Sequence, residues 1–172
     1  MVSILARELH LKILSNSKAR LLVQRLTELN KTIVAAESCS AGLAADLIAR
    51  IPGASKVLWG SFVTYSPKAK LCMLGVKEDF LELYGEVSRE TACAMALGAL
   101  ERSGADYAFS ITGLAGPGGD GSGMEAGTVW IATVQNGENP GATLYHFRGS
   151  RNHVRKMAAE KALEKLLEIL PK

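Results

Sequence analysis

The sequence holds three cysteines, Cys39, Cys72 and Cys93. An odd number without paired spacing excludes a disulfide framework and a structural zinc site. Cys72 and Cys93 lie in Ala/Leu/Met-rich helical surroundings and read as small buried hydrophobes. The three histidines, His10, His146 and His153, show no metal-ligand spacing. No apolar run is long enough to cross a bilayer. The first residues carry Arg7, Glu8, His10 and Lys12 within their apolar pattern, unlike a signal peptide, so a cytoplasmic location is expected. Net charge is only +3, with Lys and Arg scattered, which leaves no basic stripe for nucleic acid. What remains is an ordinary soluble composition, 48% hydrophobic and 22% charged, over a length that suits one domain spanning 1–172.

The most informative stretch is Ala35-Ala36-Glu37-Ser38-Cys39-Ser40-Ala41-Gly42. An apolar run from Thr32 leads in, and an apolar periodic run to Ile51 leads out, so it reads as strand, tight turn and helix. Unpaired N–H groups and the dipole at a helix start favour negative charge. Two readings stand here. Ser38 is a helix cap, or it is a nucleophile beside an oxyanion site.

Periodicity organises the rest. Glu8 to Leu29 reads as a helix whose start could also fall at Ser15-Asn16-Ser17. Strands are expected at 32–36, 57–65, 106–112, 128–135 and 142–148. Helices are expected at 41–51, 67–73, 77–84, 89–103 and 151–170. The turn Asn136 to Gly141 favours an antiparallel hairpin. Helices interleaved with strands give an α/β class, a mixed sheet covered by helices. Ligands in such sheets prefer strand carboxyl ends, where Ser38 and Thr112 fall.

Three further segments could carry chemistry. Tyr65 and Lys70 flank a strand-to-helix turn, and a Ser/Lys pair can activate a hydroxyl without histidine. Lys68 reads as solvated, while sequence alone leaves Lys70 open. Thr112 to Gly123 is glycine-rich, either an anion-binding nest or a plain surface loop. It is not a P-loop, because no Gly-Lys-Ser/Thr follows. Arg151 and Arg155 share a face at a helix start, where the dipole disfavours cations. Either a bound phosphate offsets that cost or solvent does.

Together these segments resemble the C-terminal domain of the CinA competence/damage-inducible proteins. The resemblance runs through Glu37-Ser38-Cys39, Pro52-Gly53-Ala54-Ser55, Val63-Thr64-Tyr65-Ser66, Ala69-Lys70, Gly85-Glu86-Val87-Ser88, Ser110 to Pro117, Gly127-Thr128-Val129 and Phe147 to Arg151. It covers about 21–170. The chain is too short to hold the N-terminal domain of full-length CinA proteins and so resembles the stand-alone form.

Stand-alone members are nicotinamide-nucleotide amidases. The resemblance therefore implies hydrolysis of the carboxamide of nicotinamide mononucleotide (NMN), a three-layer α/β/α fold, and no metal or organic cofactor. By position it implies catalytic roles for Ser38, Ser55, Tyr65 and Lys70, with Ser38 or Ser55 as nucleophile. Substrate contacts fall to Ser40, Gly42, Thr112, Gly113, Gly116, Arg151 and Arg155.

The expected partner is a small-molecule nucleotide, with no nucleic acid and no membrane. The apolar positions of the N-terminal segment point to a homo-oligomer. Departures from the family pattern are Ser40-Ala41 for Thr-Gly, Met124-Glu125 for a Lys-Pro pair, and Ser150 for an acidic residue. Rival readings are a Cys39 hydrolase with His146 or His153 as base, a non-catalytic nucleotide sensor, and a DNA-uptake module.

Overall fold

The structure, a computed structural model, describes residues 17–119, 121 and 123–171. The helix start expected at Glu8 lies outside them.

The first described element is helix α1 (17–28), with Leu22 and Leu26 wholly buried. Then come β1 (Ile33–Glu37), α2 (Leu43–Ala49), a 3-10 turn (Ala54–Lys56), β2 (Leu58–Val63), α3 (Pro67–Leu74), α4 (Glu78–Tyr84) and α5 (Arg89–Ser103). The chain continues through β3 (Tyr107–Gly113), β4 (Thr128–Gln135), β5 (Gly141–His146) and α6 (Arg151–Ile169). Local chemistry sets several of these ends. Ser66, Ser88 and Ser150 each accept a backbone N–H as N-caps of α3, α5 and α6.

The sheet order is β2-β1-β3-β4-β5. β1 pairs in parallel with β2 and β3, and the β3-β4 and β4-β5 pairs are antiparallel. The sheet is therefore mixed, with the expected hairpin.

Period-2 alternation divides the strand side chains between two cores. Ile33, Ala35, Tyr107, Phe109, Ile111, Val129 and Ile131 pack with α1, α2 and α6. Val34, Ala36, Ala108, Ala132 and Val134 pack with α3, α4 and α5. Helices thus cover both faces of one sheet, giving three layers. On the second face α5 packs closely against α3. A Cβ at Gly98 would run into the Leu74 carbonyl of α3.

One expectation fails at the cysteines. Cys72 is exposed and Cys93 only partly buried. α3 buries Lys70 and Leu74, four residues apart, so Cys72 midway between them faces the opposite side.

Candidate active site

The parallel strands β1 and β3 end side by side, with Glu37 opposite Ile111. The backbone N–H of Ser38 donates to the Ile111 carbonyl at 2.9 Å, which fixes the turn after β1 against β3. A cavity of about 590 Å³ opens here, within the usual range for small-molecule sites. Its walls include Ser38, Tyr65, Lys70, Glu86, Thr112 and Arg151.

Glu37 removes the helix-cap reading of the Ser38 turn. Its side chain is wholly buried and accepts the N–H groups of Ala44 at 3.0 Å and Ala45 at 2.9 Å. Ser61 Oγ donates to it as well, at 3.2 Å. A carboxylate thus does the capping of α2 from seven residues upstream. The chain turns through two left-handed residues, Ala41 at φ 53° and Gly42 at φ 87°. Neither Ser38 nor Ser40 caps the helix, and the Ser38 hydroxyl is left at the cavity wall.

Lys70 is 1% exposed. Its ammonium donates to Glu86 Oε2 at 2.9 Å and to Ser38 Oγ at 3.4 Å. Burial is what sequence alone could not settle for this lysine, and Lys68, two residues before, is exposed. Tyr65 sits on the rim, where its hydroxyl accepts a hydrogen bond from Arg151. Arg151 also donates to the Gly116 carbonyl at 2.5 Å. One guanidinium therefore ties the glycine loop to the tyrosine. Thr112 lines the cavity while its hydroxyl donates to the Glu86 carbonyl at 2.7 Å.

Gly113 and Gly116 line the cavity too. A Cβ at Gly113 would meet the Thr128 carbonyl and Val129, so strand packing alone already demands glycine there.

Four expected site residues stand elsewhere. Ser55 is exposed in the 3-10 turn that enters β2. Because β2 runs parallel to β1, that turn lies at the opposite end of the sheet from Ser38. Ser55 is therefore corrected from catalytic cluster to surface position within this chain.

Ser40 is wholly buried and does not border the cavity. Among the described residues its hydroxyl has no partner, and its carbonyl accepts from Arg155 at 3.0 Å. Arg155 also donates to Asn152 Oδ1 at 3.2 Å, so it clamps the Ser38 turn and does not face the cavity. Gly42 opens α2 behind the wall.

The cysteine alternative loses its chemistry. Cys39 borders the cavity, but burial pushes its thiol up to about 12, against the opposing influence of its own backbone N–H. It is a protonated thiol at neutral pH. Neither His146 nor His153 lines the cavity.

Sequence reasoning missed Glu86 as part of the site and Glu37 as the cap behind it, along with the lining residues Tyr84 and Val87. Glu86 stood within a recognised motif, but its role depends on a contact sixteen positions back along the chain, to Lys70.

An α/β/α protein with a serine–lysine cluster at its strand carboxyl ends defines a class. The CinA C-terminal domain model matches residues 15–170, and the chain belongs to that family. A CinA-like protein of Akkermansia muciniphila is 42% identical over 152 residues, which is 88% of this chain and 37% of that protein. A CinA-like protein of Syntrophomonas wolfei is 43% identical over 141 residues, 82% of this chain and 34% of that protein. The chain thus spans about a third of the length of the curated relatives it matches.

The competence/damage inducible protein CihA from Agrobacterium tumefaciens superposes with a TM-score of 0.87 at 38% identity, covering 90% of this chain and 94% of that one. A competence-damaged protein (CinA) superfamily protein from Escherichia coli gives 0.87 at 36% identity, with coverage of 91% and 90%. Among the described residues no helix is long and apolar enough to cross a membrane.

Proposed function

We propose that this chain is an amidase that hydrolyses the carboxamide of NMN to nicotinate mononucleotide and ammonia. The observation that carries the reading is the buried Lys70 ammonium within 3.4 Å of the Ser38 hydroxyl. A serine beside a desolvated lysine is a nucleophile with its base.

In this reading the Ser38 Oγ–H bond breaks as Oγ bonds to the amide carbon. The proton goes to the neutral amine of Lys70, and the carbonyl π pair moves onto oxygen. Among the described residues the amides of Cys39 and Ser40 donate to no backbone carbonyl, and they are the candidates for that oxyanion. Lys70 then returns the proton to the leaving nitrogen, directly or through Tyr65, and ammonia departs. Water attacks the acyl-serine by the same route in reverse. Arg151 retains donors beyond those it spends on Gly116 and Tyr65, and with the loop at Gly116–Gly119 it would hold the 5′-phosphate.

The test is ammonia release from NMN by the wild type and by Ser38→Ala. We expect release by the first and none by the second, with binding of nicotinate mononucleotide kept by both. Met124 on the cavity wall, a departure from the Lys-Pro of the family pattern described above, favours a sensor as the second reading. Thermal stabilisation by NMN without ammonia from the wild type would establish that reading and overturn the amidase.

A further inference from the structure

Glu86 has no role in the scheme above, yet the lysine it holds must shed a proton before it can act there. A lysine is a base only as the neutral amine. At 1% exposure Lys70 exchanges protons poorly with bulk water. Among the described residues, Glu86 is the titratable group bonded to its ammonium. The Glu86 side chain is 44% exposed, so it joins the buried lysine to solvent.

The carboxylate also stands on a fixed stem between α4 and α5. The Glu86 carbonyl accepts from Thr112 at 2.7 Å, and the Gly85 carbonyl accepts from Thr91 at 2.6 Å and from Ser88 at 3.2 Å. Such anchoring is more than a surface ion pair needs.

We propose that Glu86 is the proton partner of Lys70, a positioning residue that holds Nζ against Ser38 and takes the proton whose departure frees the lysine lone pair. The balance is simple. An ammonium–carboxylate pair becomes an amine–carboxylic acid pair, with one N–H bond broken and one O–H bond made. Net charge at the cavity wall is zero before and after, so no isolated charge is created in a desolvated place. The amine then accepts the Ser38 proton, and at the end of the cycle the pair holds the protons it began with.

This inference rests on the serine–lysine chemistry proposed above but not on the identity of the substrate. Its test therefore uses a substrate-independent probe. An alkyl fluorophosphonate captures an activated serine: Oγ bonds to phosphorus, fluoride leaves and the proton goes to the base. The rate of Ser38 labelling is followed by peptide mass in wild type, Ser38→Ala, Glu86→Gln, Glu86→Asp and Glu86→Ala, with melting temperatures alongside.

Glu86→Gln keeps the shape and a hydrogen-bond acceptor for Nζ but cannot take the proton. We expect its labelling to fall about 100-fold, the scale of one proton-transfer step. Glu86→Asp should recover most of that loss. Glu86→Ala should be rescued by added formate in a concentration-dependent way, which a purely structural role would not show.

Labelling of Glu86→Gln at or above the wild-type rate overturns the proposal, as does absence of Ser38 labelling in the wild type. If Glu86→Gln does not fold, formate rescue of Glu86→Ala decides, and no rescue overturns it. Glu86-dependent labelling without ammonia from NMN would refute the substrate and leave this proposal standing.

Discussion

Two lysine–carboxylate pairs sit at opposite ends of the same sheet. At the amino ends of β1 and β3, Lys31 Nζ lies 2.7 Å from Asp106 Oδ1. The other Asp106 oxygen accepts the Thr32 N–H at 2.8 Å and the Thr32 hydroxyl at 3.0 Å. That carboxylate is fully engaged, its lysine is open to water, and the cluster ties two strand starts together. At the carboxyl ends, Lys70 and Glu86 reverse the arrangement. The lysine is buried, the carboxylate reaches solvent, and the lysine's remaining contact is a serine hydroxyl facing a cavity. The same two residue types make a strap where the carboxylate is held by Lys31 and Thr32 and the lysine faces water. In the proposed site they combine a buried lysine with a serine hydroxyl at a cavity.

The largest contrast comes from breaking each pair separately. Lys70→Met should abolish ammonia release from NMN, a loss of at least about 1,000-fold for removing a base that works with its nucleophile as a unit. Asp106→Asn should leave kcat and KM unchanged but lower stability by about 1–2 kcal/mol, read by urea unfolding.

The strap also has a pH signature. Burial alone would raise the Asp106 carboxyl, but its bonds from Lys31 and Thr32 outweigh that and hold it below its ordinary value of 3.8. A lowered carboxyl contributes stability that is present above 3.8 and lost as pH falls through the folded value. Wild type should therefore lose stability more steeply than Asp106→Asn below about pH 4. Parallel curves would show that Asp106 is not the group responsible.

How much of this contrast was legible in the sequence follows from the physics of each contact. Apolar runs marked the strands and periodic segments marked the helices, because those signals act within a few residues. The cap supplied by Glu37 was not legible, since it reaches seven residues ahead, beyond the spacing of ordinary capping patterns. Ser55 was misplaced because motifs in order along a chain say nothing about which end of a sheet they occupy. Arg155 shares a helix face with Arg151, as its spacing predicted. One turn of α6 is about 5.4 Å, however, and that displacement takes it from the cavity rim to the Ser40 carbonyl. Lys70 was recognised as a candidate, but only the surrounding packing distinguishes it from Lys68.

A smaller effect concerns which groups near the reactive end are ionised. Iodoacetamide at pH 7 should modify Cys72 readily, because it is exposed. Cys39 should resist, being 5% exposed with its thiol pushed up to about 12. Ammonia release from NMN should survive the treatment, with the modified residue identified by peptide mass. Loss of activity in step with alkylation of Cys39 would return the thiol to contention as nucleophile.

The smallest expected effect probes the turn that sets the two ends apart. Ala41 adopts φ 53°, a left-handed conformation that costs a residue with a Cβ about 1–2 kcal/mol. Ala41→Gly removes that cost in the folded state but gives the unfolded chain more freedom, worth about 0.4–1 kcal/mol in the other direction. The net change should be a stabilisation of no more than about 1.5 kcal/mol. Ser38 is held from outside the turn, by the Ile111 carbonyl and the Lys70 ammonium, and Arg155 clamps the neighbouring Ser40 carbonyl. Turnover of NMN should consequently stay within about two-fold of wild type, as expected for a change of this energy away from the reacting atoms. A large fall in kcat at unchanged melting temperature would mean that the Ala41 methyl itself shapes the site, and that the turn is part of the reactive end and not only its support.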